Sequence, residues 1–244
     1  MRTVVVIPTY NEAANLEALA RHILRLPGFS LIVVDDNSPD GTGAIADELA
    51  NRYIGRVSVI HRADKQGLGT AYVEGFRQAL AGGYDFIAQM DADFSHNPAD
   101  LPRLVAAASA ADVAIGSRYV RGGGAENWPL FRWLISRGGS LYTRLVLGLP
   151  MQDPTSGFKC FRRDALGQID PRQICAKGFG FQVEMNWRCH RQGLRVVEIP
   201  IRFIDRKLGH SKMSTRIFLE ALWLVWQLRL RGTQYGKHPN YTAS

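Results

Sequence analysis

Two carboxylates one residue apart form the most informative chemical pattern in the chain. Asp91 and Asp93 follow an apolar run that begins at Phe86. Side chains two residues apart on an extended strand point the same way, so these carboxylates are expected to converge. Paired carboxylates suit Mg²⁺ or Mn²⁺, ions that commonly also bind the phosphates of a substrate. The same residues could instead form a solvated turn, and only the surrounding elements can separate the two interpretations.

Strand-like and helical patterns alternate through the first half of the chain. This alternation predicts an α/β fold with a mostly parallel sheet that helices cover on both faces. Ligands of such sheets bind outside the carboxyl ends of the strands. The predicted strands are residues 3–8, 31–36, 57–61, 86–91 and 113–116, and the predicted helices are residues 12–25, 41–52, 70–81 and 99–110.

Three polar clusters fall at the ends of predicted strands. Residues 8–12 follow the first strand, residues 35–38 end the second, and residues 91–93 end the fourth. Each cluster alone could be ordinary turn chemistry. Because the carboxyl ends of parallel strands share one edge, the coincidence of all three predicts a single binding site there.

The composition predicts a globular protein with a basic second half. The chain of 244 residues is 46% hydrophobic, enough for a substantial core. Residues 1–117 hold 9 Lys and Arg against 14 Asp and Glu, whereas residues 118–244 hold 21 against 8. A basic half fits an enzyme that clamps anions or a protein on anionic lipid, and no motif indicates nucleic acid. Three scattered cysteines indicate neither zinc nor a disulfide framework and fit a reducing cytoplasm.

The segment 216–231 predicts an amphipathic helix that needs a partner for its apolar surface. Its polar residues form one narrow stripe, and Leu, Val, Phe and Trp side chains fill most of the circumference. The helix could lie in a membrane interface, or it could pack on the domain or in a dimer. No apolar run reaches the roughly 18 residues of a membrane span. Residues 232–244 are expected to form a frayed polar tail.

The chain carries a series of short motifs in a fixed order: PTYNE at 8–12, VDDNSPDGT at 34–42, GLGTAY at 67–72, MDADFSH at 90–96, GSRY at 116–119, ISRG at 135–138, DPTSGF at 153–158 and DRKLGHSK at 205–212. This set resembles family 2 glycosyltransferases of the GT-A fold, and more narrowly the catalytic subunits of dolichol-phosphate and polyprenol-phosphate mannose synthases. The resemblance implies a Rossmann-like GT-A catalytic domain at 1–212, an interfacial helix at 213–231 and a flexible tail at 232–244.

The resemblance also implies that the donor substrate is GDP-mannose and that the reaction needs Mg²⁺ or Mn²⁺. It puts Asp91, Ala92 and Asp93 at the metal ion and the diphosphate. Ser95 stands where some relatives carry Gln as a third metal ligand, so Ser95 or water would take that place. The residues expected around the nucleoside are Pro8, Tyr10, Glu12, Val34 and Asp36.

The acceptor implied by the resemblance is a polyprenyl monophosphate at the cytoplasmic face of a membrane. Its phosphate is already anionic at neutral pH, so positioning and charge neutralisation matter more than a strong general base. Arg118, Arg132 and Ser136 would bind this phosphate, and Arg118 would act in catalysis with the two aspartates. Arg206 and Lys212 would close over the leaving diphosphate. Transfer would be a single displacement with inversion.

Several alternatives remain open. Glu184 lies where many inverting relatives carry an acidic base, but with a phosphate acceptor we interpret it as structural or orienting. Arg137 is a weaker candidate for the acceptor phosphate. The alternative donor is UDP-glucose, and the alternative class is a non-catalytic nucleotide-binding subunit. Membrane attachment would require the Trp-rich helix, a small transmembrane partner subunit or a segment removed from the chain.

Overall fold

The computed structural model describes residues 1–169, 174, 176, 178, 180–205 and 222–230. Residues 222–230 are helical. Several features named above lie outside the described residues: Arg206, Lys212, Cys175, both ends of the expected helix at 213–231 and the expected tail at 232–244.

Nine strands form two sheets. They are β1 (Thr3–Thr9), β2 (Phe29–Asp35), β3 (Val57–His61), β4 (Phe86–Gln89), β5 (Val113–Ser117), β6 (Gly124–Glu126), β7 (Lys159–Arg162), β8 (Val196–Pro200) and β9 (Arg202–Ile204). The central sheet has the order β3-β2-β1-β4-β7-β5-β8, and β6 pairs with β9 in a small second sheet. The helices are α1 (Ala13–Leu24), α2 (Thr42–Arg52), α3 (Leu68–Ala81), α4 (Leu101–Ser109), α5 (Leu130–Leu147), α6 (Arg163–Gln168) and α7 (Gly180–Arg191), with a 3₁₀ turn at Pro98–Asp100 before α4.

The central sheet is parallel except for β7, which runs antiparallel between β4 and β5. The predicted α/β fold with a mostly parallel sheet is therefore confirmed. The sequence did not predict β7, because four residues that include a lysine and an arginine show no clear hydrophobic alternation. Lys159, the first residue of β7, pairs with Gln89 at the carboxyl end of β4. The segment 153–158, which directly precedes β7, therefore lies at the edge where the parallel strands end.

The sheet separates two apolar layers. Val5 and Ile7 of β1 enter one layer, whereas Val4 and Val6 enter the other. Helices α1, α2 and α4 contribute to the first layer, and α3 and α7 contribute to the second. Burial on both faces explains why the central strands are almost continuously apolar.

The nine elements predicted in the first half of the chain all occur within two residues of their predicted bounds, but one small difference matters. β4 ends at Gln89, so Asp91 and Asp93 lie beyond the strand, where a bend begins at Ala92. The expectation that strand alternation aligns their side chains is therefore wrong. Phe94 follows with a φ of 58°, in the left-handed region that a tight turn can require. The turn, rather than the strand, sets the direction of the two carboxylates.

Candidate functional site

Polar side chains at the carboxyl ends of β1 and β2 are hydrogen-bonded to each other. Thr9 and Asp35 are register partners, and the Thr9 hydroxyl donates to Asp35 Oδ1 at 2.8 Å. Ser38 Oγ donates to the same carboxylate oxygen at 2.6 Å. The backbone N–H of Asn11 donates to Ser38 Oγ at 3.1 Å. The structure thus brings the first two polar clusters of the sequence together.

Asp36 forms a buried ion pair with Arg62. Arg62 Nη1 donates to Asp36 Oδ1 at 2.6 Å, and both side chains are buried. Burial raises the pKa of Asp36, and Arg62 only partly offsets that effect. Nη2 of Arg62 also donates to Gln66 and Thr70. Sequence reasoning missed Arg62, although its place directly after β3 put it at the same edge of the sheet.

The other residues expected around a nucleoside differ in accessibility. Val34 is fully buried, and its side chain belongs to an apolar layer of the core. Only its backbone could therefore contact a ligand. Pro8, Tyr10 and Glu12 are half-buried at the end of β1 and before α1. Lys65 Nζ lies 3.7 Å from the centre of the Tyr10 ring, which puts a cation at this part of the site.

Asp91 and Asp93, here called the acidic pair, are close to the same buried phenol. The Tyr72 hydroxyl donates to Asp91 Oδ1 at 3.0 Å. Burial raises the pKa of Tyr72 well above its usual value, and both carboxylates raise it further. The backbone N–H of Ser95 donates to Asp93 Oδ1 at 3.0 Å, and Ala92 is buried between the two acids. The two carboxylates therefore share one small region beyond β4.

The acidic pair suits a hard divalent cation. Ser95 Oγ is buried beside it and has no hydrogen-bond partner among the described residues, so this oxygen is available as a further ligand. No group of three or more His, Cys, Asp and Glu side chains that could hold a metal occurs in the described part of the chain. Two carboxylates would therefore need additional oxygen atoms from phosphate or water, which is the usual arrangement for Mg²⁺.

Arg118 follows β5 and forms a bidentate, buried ion pair with Asp153. Its Nε and Nη2 donate to the two oxygens of Asp153 at 2.8 and 2.7 Å, and Nη2 also donates to Thr155 Oγ1 at 2.7 Å. Burial opposes both charges, but the attraction outweighs it, so the pKa of Arg118 is raised and that of Asp153 is lowered. Nη1 of Arg118 donates to no acceptor among the described residues.

Arg118, Trp128 and Arg132 form what we call the basic cluster. The guanidinium carbons of Arg118 and Arg132 lie 5.6 and 4.6 Å from the centre of the Trp128 ring, within the range of cation–π attraction. Nη1 of Arg132 donates to Asp205 Oδ2 at 2.6 Å. Its Nε and Nη2 have no acceptor in the described part of the chain. Both guanidinium groups thus retain donors that an anion could use.

The acidic pair and the basic cluster adjoin each other. One segment contacts both: Arg118 donates to Asp153 and Thr155, and a Cβ atom placed on Gly157 would lie 3.3 Å from Asp91 Oδ2. Tyr119 follows Arg118 in the chain, and its hydroxyl donates a hydrogen bond to Ser136 Oγ of α5 at 2.6 Å. The described candidates for cation and phosphate binding are therefore brought to one region, although they come from distant parts of the sequence.

Sequence reasoning missed a group of buried polar side chains behind Asp91. We call Gln89, Lys159 and Gln182 the polar triad; all three are buried. Burial lowers the pKa of Lys159 to about 7. The available signals were Gln89 within an apolar strand and Lys159 within a short strand, but neither indicated that the two residues pair.

Glu184 of α7 is fully buried, and its carboxylate accepts hydrogen bonds from neighbouring protein groups. Its oxygens accept from Arg188 Nε and Nη2 at 3.0 and 2.8 Å, and from the backbone N–H of Ala176 at 2.8 Å. These contacts fit the structural or orienting interpretation of Glu184.

The sequence is similar to those of known glycosyltransferases. The family model described as Glycosyl transferase family 2 matches residues 4–170. The chain is 47% identical to the polyprenol monophosphomannose synthase of Mycolicibacterium smegmatis over 233 residues, 95% of this chain and 88% of that protein. It is 50% identical to the undecaprenyl-phosphate mannosyltransferase of Micrococcus luteus over 234 residues, 95% of this chain and 96% of that protein.

A solved structure extends the likeness to three dimensions. The glucosyl-3-phosphoglycerate synthase of Mycobacterium tuberculosis, in complex with Mn²⁺, UDP and glucosyl-3-phosphoglycerate, superposes with a TM-score of 0.65. The match covers 94% of this chain and 79% of that chain, at 19% sequence identity. At this identity the likeness concerns the fold alone.

Proposed function

Because the chain belongs to glycosyl transferase family 2, we propose that it transfers mannose from GDP-mannose to a polyprenyl monophosphate. Both relatives at 47% and 50% identity are named for polyprenyl-linked mannose chemistry. One observation carries the proposal: an acidic pair fit for a metal ion adjoins guanidinium groups fit for a phosphate. The metal ion at the acidic pair would bind the nucleotide sugar, and the guanidinium groups would bind an anionic acceptor.

On the donor side, the acidic pair would hold Mg²⁺ or Mn²⁺ together with the diphosphate. The bound ion would supply charge neutralisation for the departing GDP. Tyr72 restrains Asp91 through its hydroxyl, which keeps one carboxylate oxygen in a fixed direction. Pro8, Tyr10, Glu12, Asp36 and the backbone of Val34 would surround the nucleoside, and Ala92, Arg206 and Lys212 would contact the diphosphate.

On the acceptor side, Arg118, Arg132 and Ser136 would bind the lipid phosphate. An oxygen of this phosphate would attack the anomeric carbon as the bond from that carbon to the GDP oxygen breaks, with inversion. GDP leaves with the bonding electron pair. Since the attacking oxygen is already anionic, the step needs no proton transfer to a base. The bidentate Asp153 contact would fix Arg118 so that Nη1 faces the acceptor in one orientation.

The enzyme would work at the cytoplasmic surface of a membrane. Helix α5, which carries Arg132 and Ser136, exposes a row of large apolar side chains. The Tyr142 hydroxyl donates to the Leu222 carbonyl at 3.3 Å, which links α5 to the helix at 222–230. No helix in the described ranges is long and apolar enough to cross a bilayer. The exposed residues are Leu130, Phe131, Leu134, Ile135, Leu141 and Leu145 of α5, and Trp223, Trp226 and Leu230.

Vesicle binding tests this membrane contact. Replacing Phe131 and Leu145 with Ser should weaken cosedimentation with anionic phospholipid vesicles about tenfold or more, because apolar area leaves the interface. GDP affinity should not change. Ile54→Ser is the matched control, since Ile54 is exposed in the turn between α2 and β3. Unchanged sedimentation of the double variant would remove α5 from the membrane contact.

The test of the reaction is transfer of labelled mannose from GDP-mannose to a short polyprenyl phosphate with Mg²⁺ or Mn²⁺, followed by organic extraction. Asp91→Asn should reduce label in the lipid phase about a thousandfold or more, because metal-assisted charge stabilisation is lost. Asp164→Asn, at an exposed position, should leave transfer unchanged. Transfer from UDP-glucose instead of GDP-mannose would identify the alternative donor. Nucleotide-sugar binding without any transfer would favour the non-catalytic subunit.

A further inference from the structure

The side-chain amide of Gln182 has a fixed orientation. Its Oε1 accepts from Lys159 Nζ at 2.6 Å and from Gln89 Nε2 at 2.7 Å. Gln89 Nε2 also donates to the Gly157 carbonyl at 3.0 Å, so the Gln89 amide is oriented too. The amide nitrogen of Gln89 can only donate, and therefore the atom of Gln182 that it contacts must be the oxygen. Two donors on Oε1 turn the NH₂ group of Gln182 in the opposite direction.

That NH₂ group faces the same small space as the carboxylate of Asp91. A Cβ atom placed on Gly157 would lie 3.4 Å from Gln182 Nε2, 3.3 Å from Asp91 Oδ2 and 3.6 Å from Asp91 Oδ1. Because Gly157 has no side chain, this point between the amide and the carboxylate is not filled by the residue itself. Among the described residues, Nε2 of Gln182 donates to no acceptor, although the side chain is only 3% exposed.

Gln182 is 3% exposed as a residue, and its oriented amide has N–H groups that no acceptor among the described residues uses. Polar groups of largely buried residues are normally hydrogen-bonded, so these N–H groups are available to a ligand. Two bonds on its oxygen, one of them from a lysine, also polarise the amide and strengthen its N–H groups as donors. The arrangement therefore favours an incoming oxygen acceptor beside Asp91.

We infer that Gln182 donates a hydrogen bond from Nε2 to an oxygen of the nucleotide sugar bound beside Asp91, and that Lys159 and Gln89 are positioning residues for this contact. The inference rests on the proposed function only in taking a nucleotide sugar as the ligand. The oxygen could belong to the transferred sugar or to the diphosphate, and both are acceptors of the same chemistry. Gly157 leaves room for that oxygen.

The test uses the full chain and titration calorimetry with Mg²⁺. Gln182→Glu keeps the size and both acceptor contacts but removes the NH₂ group, and Gln182→Met removes the amide without adding charge. Both variants should bind the nucleotide sugar about tenfold or more weakly. Unchanged affinity for the nucleoside diphosphate would assign the contact to the sugar, and an equal loss would assign it to the diphosphate. Gln78→Glu, the same change on α3, is the matched control.

Gly157→Ala gives an independent measurement. The new methyl group would fill the proposed oxygen position, 3.3 Å from Asp91 Oδ2, and a shift of that carboxylate by a few tenths of an ångström would accommodate it. The protein should therefore fold, while nucleotide-sugar affinity falls about tenfold or more. Lys159→Arg should retain more affinity than Lys159→Met, because only the former keeps a cationic donor. Wild-type affinity in Gln182→Met and Gly157→Ala would overturn the inference.

The ligand panel separates this inference from the proposed function. GDP-mannose and UDP-glucose are titrated into the wild type, and the one that binds is used for the variants. If UDP-glucose binds and GDP-mannose does not, the proposed donor is wrong, but the role of Gln182 is still measured. If the wild type binds neither, both proposals are overturned.

Discussion

The acidic pair and the basic cluster lie at the same edge of the sheet, but they are built over different distances along the chain. The acidic pair comes from one turn after β4, in which Ser95 bonds to Asp93 two residues away. The basic cluster requires contacts between residues 35 apart for Arg118 with Asp153, and 73 apart for Arg132 with Asp205. The first can form locally, whereas the second forms only when β7, β9 and α5 are in place.

The two arginines of the basic cluster also differ from each other. The side chains of Arg118 and Asp153 are 10% and 0% exposed, whereas those of Arg132 and Asp205 are 40% and 28% exposed. A buried ion pair is costly to break from one side, while a partly exposed pair is screened and exchanges readily with other ions. Arg118 is thus a fixed part of the fold, and Arg132 is the guanidinium group that can change partner.

Asp153→Asn should have the largest effect on stability. It leaves the Arg118 charge buried without its counter-ion, which typically costs about 3–5 kcal/mol in the free energy of unfolding. Urea denaturation monitored by tryptophan fluorescence measures this loss. The control is Asp164→Asn, whose carboxylate is 82% exposed and whose effect should lie within about 0.5 kcal/mol. A loss below about 1 kcal/mol for Asp153→Asn would show that Arg118 is not anchored by this pair.

Lys159→Met tests the charge behind the acidic pair through pH. Burial lowers the pKa of Lys159 to about 7 in the folded state, whereas an unfolded lysine titrates near 10.4. Between these values the unfolded chain binds more protons, so stability should rise with pH by up to about 1.4 kcal/mol per unit. Below pH 7 the cost of the buried charge is fully present.

The measurement is the free energy of unfolding at pH 7, 8 and 9 for the wild type and Lys159→Met. The variant should lack this part of the rise with pH, and it should gain most at the lowest pH. Arg195→Met is a suitable comparison, because it makes the corresponding change at an exposed cationic side chain. Equal pH slopes in the wild type and Lys159→Met would mean that Lys159 stays charged in the folded protein.

The sequence predicted local features better than those that depend on long-range contacts. The bounds of β3 were predicted without error. The acidic pair lies at the carboxyl end of β4 as expected, although the turn and not the strand directs its side chains. Arg118 stood out because it follows β5. Its partner Asp153 lay within a recognised motif, yet nothing in the local sequence indicated that the two form an ion pair.

The polar triad shows why site features that depend on long-range contacts were not predictable from the sequence. Lys159 would normally be assigned to the surface, since isolated lysines are almost never fully buried. Its burial follows from the antiparallel insertion of β7 between β4 and β5, which puts it opposite Gln89. Gln182 arrives from α7, 23 residues further along the chain. A sequence pattern within any one of these elements carries no information about the other two.

Asp205→Asn should have a much smaller effect on stability than Asp153→Asn, because the ion pair of Asp205 with Arg132 is partly exposed. A change below about 1 kcal/mol is expected. If the carboxylate competes with the lipid phosphate for Arg132, its removal should lower the KM for polyprenyl phosphate about two- to fivefold at low salt, with little effect at high salt. Steady-state kinetics at two ionic strengths measures this change.

Arg132→Gln is the opposing variant, and it should raise the same KM because the guanidinium group itself is lost. The KM for GDP-mannose should stay constant in both variants, since Arg132 and its ion pair are assigned to the acceptor phosphate. A higher acceptor KM in Asp205→Asn would mean that Asp205 orients Arg132 for the phosphate. Arg132 would then be held in position by its carboxylate partner, as Arg118 is. The two arginines would differ in burial but not in how they bind the phosphate.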